Sequence, residues 1–499
     1  MSTREAAPAV SDDRSSFWLT RIVLFRLLGI VYLCAFLVAA LQGPALIGPG
    51  GILPADEFLR RVHAHFEGSG GSAFFHLPTI FWWTGFSPRS LAAVAWTGVA
   101  FSALLAAGFA NALTLFVLWA LYSSIVNVGQ LFWGYGWEIL TLEGGFLAIF
   151  MAPLLDLRPL PSRTPPPTVI LWLLRWLTFR VMFGAGLIKL RGDPCWIDLT
   201  CLAYHYETQP IPNPLSWYFH HAPLWFHKGG VLFNHFAELV APVMLFGPRR
   251  ARLAGATVIV LFQVILILSG NLSWLNWLTI AVAVAGFDDA SLSWCFRRRT
   301  RERARTRAAA SRLSMARGGA AGVLAVLVGY LSIDPVFNMI SPQQVMNTSF
   351  DPFHLVNTYG AFGTIGRERD EIVLSGTTEE DIGPSTVWLE YEFRCKSGDP
   401  RRRPCIVSPY HERIDWQMWF AAMSVIQREP WLVRFIQKLL DGDPLASGLL
   451  ARDPFRGSAP RYIKADLYRY EFTDGGDAWW RRTFLGPYLR PVAKRGASD

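Results

Sequence analysis

The sequence predicts a polytopic α-helical membrane protein of about nine spans, followed by an extracytoplasmic, β-rich, sandwich-like domain. Three observations carry that reading. Of 499 residues, 52% are hydrophobic and 17% are charged, whereas soluble chains carry nearer a quarter charged. The apolar residues are gathered in blocks of about 20, the length that crosses a hydrocarbon core. Past residue 335 these blocks stop, charge rises, and apolar residues begin to alternate with polar ones. Many of the 21 tryptophans sit at block ends, as interfacial belts require.

Residues 1–18 read as a cytoplasmic tail and residues 19–335 as the membrane domain. The first apolar run carries Arg26 and lacks a small-residue cleavage site, so it reads as an uncleaved span. Spans are expected at 19–42, 89–110, 112–134, 137–156, 168–190, 230–247, 252–269, 271–288 and 318–335. The pair around Ser269-Gly270-Asn271 fits two spans or one re-entrant hairpin, with the same sidedness. With the N-terminus inside, inner segments hold eighteen arginines, among them Arg4, Arg14, Arg21, Arg163 and nine between Arg297 and Arg317. The outer loops, 43–88 and 191–229, and the span ends that flank them hold six Arg and Lys residues, Arg60, Arg61, Arg89, Lys189, Arg191 and Lys228. This bias follows the positive-inside rule and places the C-terminus outside. It also accounts for the formal charge of +9 without nucleic acid: the arginine cluster beside an apolar span reads as a flank facing membrane lipid.

Residues 48–54 (GPGGILP) make a tight outer turn, and they lack the Lys and Ser or Thr of a phosphate cradle. Residues 159–167 form a Pro-rich inner linker. In the outer part, 336–499, residues 387–394 (VWLEYEFR) alternate as a half-buried strand does, and 461–472 is a second strand candidate. Residues 415–427 and 430–441 read as a helical insertion. Gly360, Gly363 and Gly366 permit a tight bend; no strand-then-helix unit follows, so they form no dinucleotide fingerprint.

Cys195 and Cys201 fall in one outer loop, and Cys395 and Cys405 in the outer domain. Two close pairs on one side point to disulfides Cys195–Cys201 and Cys395–Cys405 in an oxidising compartment; buried free thiols are the other reading. Neither pair has zinc-site spacing, so no metal is expected.

Ionisable groups at membrane depth are functional candidates by default. Lys189 closes the fifth expected span, Glu138 and Glu143 open the fourth, and His235 and Glu238 stand three apart near the start of the sixth. Asn127 and Gln130 lie late in the third. Packed together, these groups would line one outward-facing polar cavity, covered by Tyr204, His205, Tyr206 and Glu207. The plainer readings are a snorkelling lysine at Lys189, a packing pair at His235 and Glu238, and Glu143 as counter-ion to Arg180.

Four stretches carry a resemblance: 183–221 (FGAGLIKLRGDPCWIDLTCLAYHYETQPIPNPLSWYFHH), 21–54, 129–150 (GQLFWGYGWEILTLEGGFLAIF) and 409–422 (PYHERIDWQMWFAA). Together they resemble the lipase maturation factor family, integral-membrane proteins associated with the folding of secreted lipases. The resemblance covers most of residues 20–490. It implies a membrane-embedded maturation or folding factor whose partner is a secreted, lipase-like client, with no required cofactor. Its membrane would be a bacterial plasma membrane, which the Arg- and Ala-rich composition fits, or the endoplasmic reticulum membrane in a eukaryote.

Residues 185–190 (AGLIKL), with Trp196, also resemble the membrane domain of the vitamin K-dependent gamma-carboxylase. That likeness implies an alternative: an integral-membrane enzyme with Lys189 as base towards a bound lipid or quinone-like molecule. Ile188 stands where that family carries a second lysine. A transporter is a third reading, but an odd span count with an appended domain argues against inverted repeats. The sequence contains no G-x-S-x-G elbow and no H-E-x-x-H, so it is not read as a hydrolase.

Overall fold

The computed structural model describes residues 16–67, 72–156, 158, 164–456 and 458–494. The tail arginines Arg4 and Arg14, and most of the Pro-rich linker with Arg163, lie outside the described residues. Helices follow as α1 (Trp18–Leu46), α2 (Pro88–Ala107), α3 (Ala112–Val128), α4 (Gly136–Met151), α5 (Thr168–Arg191), α6 (Cys201–Thr208) and α7 (Leu224–His235). After them come α8 (Arg249–Ser269), α9 (Leu275–Ala283), α10 (Arg298–Ala310) and α11 (Met315–Leu331).

Among the described residues, five helices are long and apolar enough to cross a membrane: α1, α2, α5, α8 and the 26 residues Met315–Ile340 that begin with α11. The other segments expected to span coincide with shorter or broken helices. Helix α3 has 17 residues, α4 has 16 and α9 has 9. The segment expected at 230–247 runs from α7 into a π-helical turn, Phe236–Val240, before Ala241–Met244. Short and irregular helices are tolerated at membrane depth when protein rather than lipid surrounds them, and α4 is buried along most of its length. Helices α1 and α5 are central, with 61% of their apolar windows buried against 33% for α2 and α8.

Local chemistry sets the ends. Ser87 caps α2 ahead of Pro88 at its first turn, and Asn111 caps α3 through the Thr114 N–H. The Asp289 carboxylate accepts from the Trp18 and Leu19 N–H groups at 2.9 and 2.7 Å, which satisfies free donors at the start of α1. Arg249 and Arg252 bind Asp288 at 2.7 and 2.9 Å beside it. At the other end of α1 the glycine-rich stretch does turn tightly, with Gly51 N–H donating to the Gly48 carbonyl at 2.7 Å.

The C-terminal part holds strands β1 (Arg369–Thr377), β2 (Leu389–Glu390), β3 (Tyr462–Phe472) and β4 (Trp480–Ala493), with helices α12 (Arg413–Ala422) and α13 (Pro430–Leu440) between β2 and β3. They form one antiparallel sheet in the order β2-β1-β3-β4. The sandwich expectation is corrected: among the described residues there is one sheet in this part, and α12 packs on β1 where a second sheet would lie. The strand at 461–472 and both inserted helices stand as expected. The strand at 387–394 shrinks to two residues and one bridge, Glu392 to Arg452, because Val387 and Leu389 stay exposed instead of gaining a covered face.

One apolar core runs through both parts. Leu28 of α1, Trp274 beside α9, Ile372 of β1 and Phe435 of α13 belong to the same cluster.

Candidate functional site

Helix α5 ends in the sequence GAGLIK, and its glycines decide what lies on it. A Cβ on Gly184 would stand 2.6 Å from the Tyr359 carbonyl oxygen, and one on Gly192 would stand 2.2 Å from that of Gly363. Only a bare backbone lets residues 359–363 roof the helix end this closely. Gly363 itself makes room for Ile188, so this glycine serves close approach as well as a bend.

Under that roof Lys189 is buried. Its Nζ donates to Glu238 Oε1 at 2.5 Å and to Asn234 Oδ1 at 3.0 Å. Asn234 Nδ2 donates to the other Glu238 oxygen at 3.0 Å, and the ammonium lies 4.9 Å from the Trp196 ring centroid. The π-helical turn after α7 carries Glu238 into this position; such turns recur at functional sites. His235 is not part of the group. It turns to the Trp196 carbonyl oxygen, 3.0 Å away.

Glu143 and Glu138 belong to two other knots. Glu143 pairs with Arg180 and accepts from the Tyr359 hydroxyl at 2.8 Å and from the Asn357 N–H and Nδ2 at 3.1 Å. Arg180 also donates to the Asn357 carbonyl at 2.6 Å. Glu138 accepts from the Tyr122 hydroxyl and pairs at 2.9 Å with Arg413 of α12, whose guanidinium lies 3.9 Å from the Trp133 ring centroid. Asn127 donates to the Pro78 carbonyl at 3.0 Å and meets His354 at 3.2 Å; Gln130 donates to the Leu53 carbonyl at 3.0 Å. The single polar cavity expected from sequence is therefore corrected. The acids at 138 and 143 are answered by Arg413, Asn357 and Tyr359 from the C-terminal part, which leaves only Lys189 and Glu238 together.

Between these knots lies a cavity of about 990 Å³. Val181, Ala185, Phe233, Phe262 and Leu266 give it apolar walls, and the Lys189–Asn234–Glu238 group stands in one of them. Gln263 and Asn276 add polar groups, and residues 359–366 line it beside the end of α5. Of the expected cover, which is helix α6 and not a loop, His205 and Tyr206 line this space. Tyr204 and Glu207 point elsewhere. Arg367 lies 4.6 Å from the Tyr204 ring centroid, and Glu207 accepts the Phe472 N–H at 2.5 Å. Burial, and after it the Lys189 charge, lowers the His205 pKa to about 3, so this imidazole stays neutral. Burial raises that of Glu207.

Cys195–Cys201 and Cys395–Cys405 are disulfides, and Cys34 and Cys295 are free, as the spacing suggested. Among the described residues, Asp193, Cys195 and Cys201 come close enough to hold a metal ion. They do not fit one: both sulfurs are bonded to each other, and Asp193 accepts from the Cys195 N–H at 2.9 Å and from Arg367 at 2.8 Å. Sequence reasoning missed Asn234, Arg413, Asn357, Tyr359, Gln263 and Asn276. Arg413 carried a signal, a cation set among aromatic and apolar residues in HERIDWQMWF. Asn276 carried another, an amide inside the apolar run SWLNWLTI.

Two family models match the chain. The lipase maturation factor transmembrane domain matches residues 19–294, and the lipase maturation factor C-terminal domain matches residues 355–490. The chain is 48% identical to lipase maturation factor 1 of Bos taurus, over 96% of its own length and 90% of the relative's. Lipase maturation factor 1 of Homo sapiens is 45% identical over 96% and 88%. Lipase maturation factor 2 of Homo sapiens is 30% identical over 93% and 81%. No solved structure matches.

Proposed function

The chain belongs to the lipase maturation factor family, and from that premise we propose that it is a membrane-embedded factor through which lipases reach their active state. The observation that carries this reading is the extent of the likeness: 48% identity runs through 96% of the chain, covering membrane domain and sheet together. The structure supports the reading in a second way. The C-terminal part is joined to the bundle by Arg413, Asn357 and Tyr359, so it is packed on the membrane domain as a platform. A platform of this kind suits contact with a folding client better than a tethered, independent module does.

In this reading the N-terminus faces the cytoplasm, and the sheet and both disulfides face the oxidising side, where secreted lipases fold. The chain acts by binding and not by catalysis. Lys189 has Glu238 and Asn234 as hydrogen-bond acceptors, the posture of an anchored ion pair and not of a free base. The test is complementation. In cells lacking their own factor, the chain should restore the specific activity of secreted lipase. No restoration with the chain present at normal level in the membrane would overturn the proposal.

A further inference from the structure

We propose that the cavity beside Lys189 is a binding site for a neutral amphiphilic lipid, a molecule with an uncharged hydrogen-bonding head and an apolar body. Its volume of about 990 Å³ lies at the upper end of the range of about 300–1,000 Å³ that small-molecule sites occupy. It is a partly open cleft, with exposed Trp225 and Met423 at its edge and buried Lys189, Glu238, Gln263 and Asn276 in its walls, so an occupant can enter it from the surface. Val181, Ala185, Phe262 and Leu266 call for an apolar body.

The charges in the wall are already answered. Lys189 is paired with Glu238 at 2.5 Å, and Arg369 is paired with Glu371 at 2.5 Å. An anionic head would have to leave water without meeting a free cation, which excludes fatty acids and phospholipid anions as the preferred class. The amides, in contrast, are only half satisfied. Asn276 is 1% exposed, its Nδ2 donates to Gln263 Oε1 at 2.8 Å, and its Oδ1 has no partner. Gln263 Nε2 reaches only the Met182 thioether sulfur, 3.4 Å away and a weak acceptor. Buried polar atoms are nearly always paired, so this amide pair asks for a hydroxyl that donates to Asn276 and accepts from Gln263. Met182 stands seven residues before Lys189 on α5, about 10 Å along the helix axis. The hydroxyl therefore sits well below the roof, and the apolar body fills the space between the two polar levels.

The test uses the full chain in native membranes with three photoreactive, alkyne-tagged probes of equal chain length: a monoacylglycerol, a fatty acid and a phosphatidylcholine. The monoacylglycerol should label peptides within 181–189 and 262–279 and be displaced by the untagged compound. Asn276→Leu should weaken labelling about fivefold, the loss of one buried hydrogen bond. Ala185→Trp, which puts an indole between the two polar levels, should abolish it while the protein keeps its melting temperature. If Ala185→Trp does not accumulate, Gln263→Leu is read in its place, with the same fivefold loss expected. Equal labelling by all three probes, or labelling that the variants leave unchanged, means ordinary boundary lipid and overturns the proposal. So does labelling confined to lipid-facing helix surfaces.

Discussion

Replacing Lys189 alone does not distinguish an anchor from a catalytic base, and the geometry gives the reason. Lys189→Met leaves the Glu238 carboxylate buried with only Asn234 to donate to it. Breaking one partner out of a buried pair costs about 3–5 kcal/mol, a large part of what holds a domain folded. Low lipase secretion with this variant would then report low protein level. The informative variant is Lys189→Met/Glu238→Gln, which removes both charges and lets the new amide bond Asn234. If the pair is structural, the double variant should lie within about 1 kcal/mol of wild type, recovering about 2–4 kcal/mol of the loss in Lys189→Met, and the Glu238→Gln single variant completes the cycle. Thermal and denaturant unfolding of the purified chain in detergent, followed by tryptophan fluorescence, measures this cycle, and lipase activity in complemented cells supplies the functional arm. Restored stability with restored lipase activity is the expected result. A double variant that is stable, present at normal level and inactive would show that the Lys189 amine itself is needed. The maturation reading would then yield to an enzyme.

Three further outcomes are expected. Arg413→Met should strand Glu138 and loosen α12, destabilising by about 3–5 kcal/mol and opening the 405–423 stretch to protease, with Arg413→Met/Glu138→Gln recovering most of the loss. Alkylation of the denatured, unreduced chain should modify two cysteines of six, Cys34 and Cys295; more than two would refute the paired outer loops. Burial, and next the Asp415 charge, raises the Glu412 pKa from 4.5 to about 7, so its contribution to stability is present below 4.5 and lost as pH rises through 7. His205, lowered from 6.5 to about 3, acts oppositely, its contribution present above 6.5 and lost as pH falls towards 3. Glu412→Gln should therefore flatten the stability loss between about pH 4.5 and 7, an effect of up to roughly 3 kcal/mol, and His205→Gln the loss on acidification. Unfolding midpoints from pH 4 to 8 for both variants decide it.

What the sequence made legible follows from how far each signal reaches. Composition and block length announce a membrane domain because burial in lipid needs only local hydrophobicity, and cysteine spacing announces each disulfide because its partners stand 6 and 10 residues apart. Strand β3 was legible by its alternation. Strand β1 was not, because it is buried on both faces apart from Asp370 and shows no alternation to read. Strand β4 hid behind Gly486, Pro487 and Pro491, which an edge strand tolerates and a central one does not. Helix length was less legible for a related reason. Hydropathy reports that α3, α4 and α9 are apolar, and it does not report that the helices end after 17, 16 and 9 residues or that protein buries most of α4. The polar site was harder still. Glu143 meets Asn357 and Glu138 meets Arg413 across more than 200 positions, and no spacing rule of a helix or a strand spans that distance. Each acid at membrane depth could be recognised as costly, and so in need of a partner. Which partner arrives is fixed by the C-terminal part folding back into the bundle. The same folding back leaves Lys189 with Glu238 and Asn234, beside the cavity.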